Sequence, residues 1–491
     1  MRRVSIIVLV FMLGAGCAAL APSEGGGQTA AERPRRMKAA DIALPQGYRI
    51  EVVATRLNMP SGITFDDQNR PVIVEAGYSY GELFATPRLV RVDSDGRTAV
   101  IARGDQKFAP WTGVQYHDGA FYVAEGGQLG GGRISRIDAD GNITPLIQDL
   151  PSRGDHHTNG PALGSDGSVY FGIGVATNSG VVGTDNYTFG WLKRFPDFHD
   201  VPARDIRLTG QNFTTENPLT PDKSDDAITG AYVPFGTATE SGQVIKGALP
   251  CTGAIMRLAP NGGDLQLVAW GLRNPFGLCF APDGRLLVTE NQYDVRGSRP
   301  VWGSGDLLWV IDPRQPPIWY GWPDYHGGHP LTWDDHYQPP GKSAPKFLLA
   351  EHPNEPPKPR ARLGVHSSAC GLDVSRSDSF GHRGEAFIAL FGDMAPSVGK
   401  VLEPVGYQVA RVNLATGVIE PFAVNRGKEN GPASKLKSGG LERPIACRFD
   451  PAGDALYVVD FGIMTMGKAG PEPRPNTGVL WRIVRAKEAR Q

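Results

Sequence analysis

The stretch GLCFAPDGRLLVTEN, residues 277–291, decides the fold. A small residue opens it, an apolar run follows, Asp283-Gly284 turns the chain, and a second apolar run ends at the acid Glu290. Asp-Gly supplies the positive φ that a tight hairpin needs, so the phrase reads as two antiparallel strands. It returns as GVQYHDGAFYVAEG from Gly113, GPALGSDGSVYFGIG from Gly160 and ACRFDPAGDALYVVDFG from Ala446, with further copies opening at Gly62 and Gly371. A polar-turn hairpin follows each long loop, as at Asp95-Gly96, Asp140-Gly141 and Thr416-Gly417. Short strands repeated every ~40–50 residues predict a propeller.

Each copy predicts four strands, A to D; in the first they fall at 62–65, 71–75, 89–93 and 98–102. The sixth copy stops after its C strand, 478–484, while 48–54 is a strand before the first copy begins. That orphan can complete the last blade and remove an exposed edge. The expected fold is all-β: a six-bladed β-propeller closed by pairing of the N-terminal strand with the C-terminal blade. It is expected over 44–491, with insertions at about 178–250 in blade three and about 312–364 between blades four and five.

The chain of 491 residues carries 50 Lys+Arg against 51 Asp+Glu, a formal net charge of −1. That balance excludes the clustered excess of base that a nucleic-acid footprint needs. With 63 glycines, 41 prolines and 40% apolar residues, the composition is that of a loop-rich β protein. Arg2 and Arg3, an apolar run over 4–13 and small residues before Cys17 read as an export signal with a lipobox-like end, residues 1–17. The run is too short to span a bilayer. Gly14 stands where a lipobox usually has Leu, and the rival reading is cleavage after 19–21, with Pro22 following the cut. Residues 18–43 read as a flexible tether. The expected location is the bacterial periplasm or cell envelope, with membrane contact only through a lipid on Cys17. Cys251, Cys279, Cys370 and Cys447 form no CxxC or CxxCH, which excludes a thiol-redox motif and attached haem. They read as buried thiols, with a Cys370–Cys447 bridge as the alternative.

In an up-and-down blade the A–B and C–D turns share one face. The B–C loops and the links into each A strand share the other. The first set here is short; the second is long and chemically rich, as elaborated functional loops are. The links are Met59-Pro60-Ser61, Pro110-Trp111-Thr112, 155–159 (DHHTN), Arg273-Asn274-Pro275, His366-Ser367-Ser368 and Glu442-Arg443-Pro444. Each precedes an innermost strand, so all six are expected to ring one mouth of the channel. Histidine there can act as a general base, and arginine as a planar donor to carboxylates.

DHHTNGPALGSDGSVYFGIG (155–174) and GLRNPFGLCFAPDGRLLVTEN (271–291) resemble the glucose/sorbosone dehydrogenase family of soluble, pyrroloquinoline quinone (PQQ)-dependent aldose dehydrogenases. The resemblance implies a six-bladed propeller that oxidises a sugar, passing hydride to PQQ beside a calcium ion. By residue, it implies His156 as the base, Asp155 as the group orienting it, and Arg273 and Asn274 as quinone contacts. Arg443 falls at a carboxylate-binding arginine, and Glu290, Asn291 and Gln292 at the stretch that holds calcium largely through main-chain carbonyls. Oxygen ligands suit calcium, and polarising a carbonyl suits its charge. The chain departs from the family in having Asn291-Gln292 where Gly-Pro is usual, and Asp393 near the place of a cofactor-binding lysine. It also keeps one arginine of a pair before blade six, with Glu442 beside it.

Bland readings stand beside these. His156 can cap a strand, His157 can be structural, and Arg273-Asn274 can staple blades. Glu290 and Asp294 can be turn formers or calcium ligands, and Asp460 occupies the repeat position of Glu290. Trp319-Tyr320-Gly321-Trp322 suits sugar stacking or packing of an insertion. The leading expectation is a sugar dehydrogenase with PQQ and Ca2+, a small-molecule sugar substrate and an unidentified electron acceptor. The alternatives are a calcium-dependent lactonase-type hydrolase and a non-catalytic glycan-binding propeller.

Overall fold

The computed structural model describes residues 35–486 apart from 80, 81, 84, 261, 396, 397, 400, 402, 468 and 469. The expected signal, Cys17 and the tether as far as residue 34 lie outside the described residues.

Six antiparallel sheets follow one another along the chain, five of them with their strands in sequence order from the axis outward. Blade one is Pro60–Phe65, Pro71–Glu75, Arg88–Val92 and Thr98–Arg103. Blade two is Trp111–His117, Ala120–Glu125, Gly132–Ile137 and Ile143–Leu150. Blade three is Thr158–Leu163, Val169–Ile173, Ala254–Leu258 and Gln266–Trp270. Blade four is Asn274–Phe280, Leu286–Asn291, Gly305–Ile311 and Ala361–Val365. Blade five is Ala369–Val374, Ala386–Leu390, Gln408–Val412 and Ile419–Asn425. Blade six is Pro444–Phe449, Ala455–Asp460 and Gly478–Arg485, completed by Tyr48–Leu57 from the N-terminal side. There Tyr48 pairs with Arg485 and Leu57 with Gly478. The ring is closed as the sequence predicts.

The repeated small residue has a steric cause. The A strands crowd one another around the axis, and each packs on the next, blade six on blade one included. A Cβ on Gly113 would lie 2.2 Å from the Gly160 carbonyl oxygen, and one on Gly277 2.4 Å from that of Cys370. The second strands are sandwiched between sheets; Val169–Ile173 and Ala386–Leu390 are buried at every position, which is why they read as unbroken apolar runs. At the face with short turns, Arg448 donates to Gln115 at 2.8 Å, joining strands A of blades six and two.

Two boundaries differ from expectation. The last residues of the expected tether are built into the ring: Ile42 and Ala43 pair with Asn425 and Val424 as a fifth strand on blade five. Arg35 is buried and ion-paired with Asp460 at 2.5 Å. Composition hides this, because only Arg35 and Ile42 of that stretch are buried. The second insertion lies inside blade four, between strands C and D, since Ala361–Val365 is that blade's outer strand. Only two of its five positions are buried, too faint an alternation to read as a strand. The first insertion runs between strands B and C of blade three. All four described cysteines are buried free thiols.

Candidate functional site

Five of the six links converge on one cavity at the channel mouth; of the sixth, Glu442-Arg443-Pro444, no residue lines the cavity, which blade six reaches through Ile445. The cavity is lined by Ser61, Thr112, His156, Asn274, Ser368 and Ile445, a residue or more from every blade. Its walls are apolar, from Trp111, Phe276, Phe391, Met394, Phe461 and Met464. A second, polar cavity abuts it and shares His156, Asn274, Asn291, Ser368 and Met394; Arg273, Asp294, Arg296, Asp306 and His366 line the rest.

His156 stands between the two. Its Nδ1 lies 2.8 Å from the Val175 carbonyl oxygen. A carbonyl only accepts, so Nδ1 carries the proton and Nε2 holds a lone pair. Nε2 has no partner among the described residues and is open to the cavity. Burial, then the charge of Arg273, drives the pKa of this imidazole well below its ordinary value. The ring is a neutral acceptor. It packs directly on Gly174, where a Cβ would come within 2.3 Å of that of His156.

Asp155 does not touch this ring. It pairs with Arg296 at 2.7 Å and accepts from Asn186 at 3.1 Å, so its expected orienting role passes to the Val175 carbonyl. Burial pushes its pKa up to about 6, with Arg296 opposing. His157 lines the apolar cavity; burial lowers its pKa to about 4.

Arg273 enters the polar cavity with most of its donors committed. Nε bonds the Asn178 carbonyl at 3.0 Å, and Nη2 bonds Asn178 Oδ1 at 2.9 Å and Asp294 at 2.7 Å. Nη1 has only a 3.4 Å contact with the Asn291 carbonyl. Asn274 is the middle of an amide chain. Asn159 donates to it at 2.9 Å, it donates to Asn291 at 3.0 Å, and Asn291 donates to the Ala369 carbonyl at 2.9 Å. The chain ties blades three, four and five at the mouth, while its amides still line both cavities.

Arg443 is placed elsewhere. It is buried under Phe391 and Tyr407, 4.9 and 5.2 Å from the ring centres. Its Nη1 reaches the carbonyls of Phe391, Gly392 and Asp393. It lines neither cavity.

In the expected calcium stretch the Glu290 side chain is a blade staple. One oxygen of Glu290 accepts the Arg273 N–H at 2.5 Å and the other the indole N–H of Trp309. Burial raises its pKa to about 7. Asp460 does the same in blade six for the N–H of Arg443 and the indole of Trp481. The Gln292 N–H bonds Asp306 at 3.0 Å. Asp306 also accepts from Ser367 and the Ala369 N–H. Among the described residues no three His, Cys, Asp or Glu side chains are grouped to hold a metal.

The rest of the polar cavity was half visible in sequence. Asp294 and His366 stand out there; Arg296, Asp185 and Asp306 do not, because they come from a long loop, an insertion and the start of a strand. Arg296 is the hub, bonded to Asp155 at 2.7 Å, Asp185 at 2.5 Å and Asp294 at 3.0 Å. Burial works to raise Asp294, but Arg273 and Arg296 hold its pKa below the ordinary carboxylate value. Trp319, Tyr320 and Trp322 are buried packing of the insertion, not a sugar platform.

The apolar cavity presents aromatic and methionine walls, with the amides of Asn274 and Asn291 at its edge and Arg273 Nη1 in the adjoining cavity. For the three carboxylates of PQQ, the guanidiniums of the polar cavity are already paired, Arg273 with Asp294 and Arg296 with Asp155.

No family model and no curated protein sequence match the chain. Solved structures do. The holo PQQ domain of pyranose dehydrogenase from Coprinopsis cinerea superposes with a TM-score of 0.54 at 16% identity, over 93% of this chain and 99% of that one. The PQQ-bound aldose sugar dehydrogenase from Streptomyces coelicolor gives 0.50 at 16% over 90% and 99%. A calcium structure of a family AA12 carbohydrate-active enzyme from Trichoderma reesei gives 0.53 at 14% over 92% and 98%. The chain therefore has the six-bladed propeller fold of PQQ-binding sugar dehydrogenases.

Proposed function

We propose that the protein is an oxidoreductase that removes hydride from a hydroxyl-bearing carbon of a sugar-class substrate, with His156 as the base. The observation that carries this reading is the His156 tautomer: Nδ1–H is held by Val175, and the Nε2 lone pair is open at a mouth shared by all six blades. An imidazole kept neutral by burial is ready to accept a hydroxyl proton. Asn274 and Asn291 can orient sugar hydroxyls, and the apolar walls exclude water from the reacting carbon. A quinone in the apolar cavity supplies the electron acceptor. The fold shared with sugar dehydrogenases supports the substrate class, as a precedent of scaffold. Export, with a lipid on Cys17, belongs to the same proposal and rests on residues 1–17 alone.

The test is reduction of a dye by the purified protein across a panel of sugars and quinones, for the wild type and His156→Ala. A general base contributes ~10²–10⁴-fold, and a loss of that size with an unchanged melting temperature is expected. Undiminished turnover in the variant would overturn the assignment.

A further inference from the structure

We infer that this mouth takes a flat quinone bearing no carboxylates, rather than the tricarboxylate PQQ. The inference rests on the oxidoreductase reading and specifies its electron acceptor.

The apolar cavity is walled by Trp111, Phe276, Phe391, Met394, Phe461 and Met464, and no Lys, Arg, Asp or Glu lines it. A carboxylate pushed against such walls loses its hydration and gains no partner. The polar cavity next to it is not a substitute. Asp155, Asp294 and Asp306 face Arg273 and Arg296 there, and each guanidinium is already ion-paired: Arg273 to Asp294 at 2.7 Å, Arg296 to Asp155 at 2.7 Å. Three more negative charges would have to break those pairs, leaving buried carboxylates uncompensated. Arg443, the cation at the expected carboxylate-binding place, keeps Nε and Nη2 unpartnered among the described residues, but it lies beneath Phe391 with Nη1 on three main-chain carbonyls and lines neither cavity.

A neutral quinone meets none of these obstacles. Its ring can lie between the aromatic and methionine side chains, where sulfur–aromatic and stacking contacts are favourable. A quinone oxygen needs one good donor, not a counter-charge. Arg273 Nη1, bonded only at 3.4 Å, and the lining amides of Asn274 and Asn291 are such donors. The electron count closes. The substrate loses its O–H proton to His156 Nε2 and its C–H hydride to the quinone, and a C=O bond forms. The quinone gains two electrons and, with that proton, leaves as the hydroquinone.

The test is a titration of the full chain followed by tryptophan fluorescence, since Trp111 lines the cavity. Duroquinone, whose substituted ring does not alkylate thiols, is compared with PQQ alone and PQQ plus millimolar calcium. Saturable quenching by duroquinone is expected, at least tenfold tighter than by PQQ with or without calcium. Decylubiquinone distinguishes a lipid-borne quinone, which binds tighter than duroquinone, from a soluble one, which binds equally; both support the inference. Met394→Lys places an unpaired cation beside both cavities and should reverse the order, strengthening PQQ about tenfold or more. PQQ binding as tight as duroquinone in the wild type overturns the inference and leaves the oxidoreductase reading intact. No saturable binding of any quinone overturns both.

Discussion

His156 and Asp155 are adjacent in the chain and serve different partners. Consecutive residues point apart, so His156 turns to Val175 and the cavity while Asp155 turns to Arg296 and Asn186. The two substitutions should therefore separate. Asp155→Asn leaves Arg296 its bonds to Asp185 and Asp294. It is expected to cost about 1–3 kcal/mol in stability, the price of one buried polar partner. It should not move the acid limb of the pH–rate profile. That limb is expected well below pH 6.5, because burial and then Arg273 depress the His156 pKa and the base is lost only when the ring protonates. A shift of the limb by a unit in Asp155→Asn would show that Asp155 acts through the imidazole after all. Sequence brought His156 to the mouth because the link before an innermost strand runs past the end of the channel. It misassigned Asp155 and Arg443 because chain position says nothing of rotamer; Arg443 occupies the same link position as Arg273 and is folded under a ring instead of into the mouth.

At the scale of the element, the acid closing strand B is the recurrent device. Glu75, Glu125, Glu290 and Asp460 each accept from the blade's own N–H or side-chain donors. Asp460 alone takes the N–H groups of Glu442, Arg443 and Gly462 together with Arg35. Asp460→Ala strands all of these. A loss of about 3–5 kcal/mol, seen as a lower urea midpoint, is expected, and a midpoint unchanged within error would refute the staple. The neighbouring Glu442 offers the pH test. Burial pushes its pKa from the ordinary 4.5 up to about 7, while it accepts from Ser434. Its folded pKa is raised, so its stabilisation is full below pH 4.5 and lost as pH rises through 7. Glu442→Gln should therefore lose less stability than the wild type between pH 5 and 8, in paired thermal melts; parallel pH curves for the two proteins would contradict the shift. The hairpin pattern made the six strand pairs readable from sequence, since a tight polar turn between two apolar runs is local. The purpose of the terminal acids was not, because a calcium ligand and a staple demand the same residue at the same place.

The molecule as a whole depends on a closure made late in one direction and early in the other. Tyr48–Leu57 covers the edge of Gly478–Arg485, and Ile42–Ala43 covers the edge of blade five. Both edges would otherwise present unpaired backbone beside apolar side chains. Ring closure was foreseeable because blade six came up one strand short; the extra strand on blade five was not, being only two residues long. The two contributions can be separated by truncation. A protein lacking residues 1–34 keeps every described strand pair and serves as the reference. Removing 1–57 opens blade six, strips blade five of its fifth strand and unpairs Asp460 from Arg35. That protein is expected to melt at least several degrees lower and to associate through the bared strand on size exclusion. A synthetic peptide of residues 35–57 added in trans should restore both, because strand addition to an open edge needs only backbone pairing and the right alternation of side chains. Equal melting of the two truncated proteins would mean that the wheel holds without its last spoke. The convergence of blades one and six at the mouth would then owe nothing to the N-terminal strand.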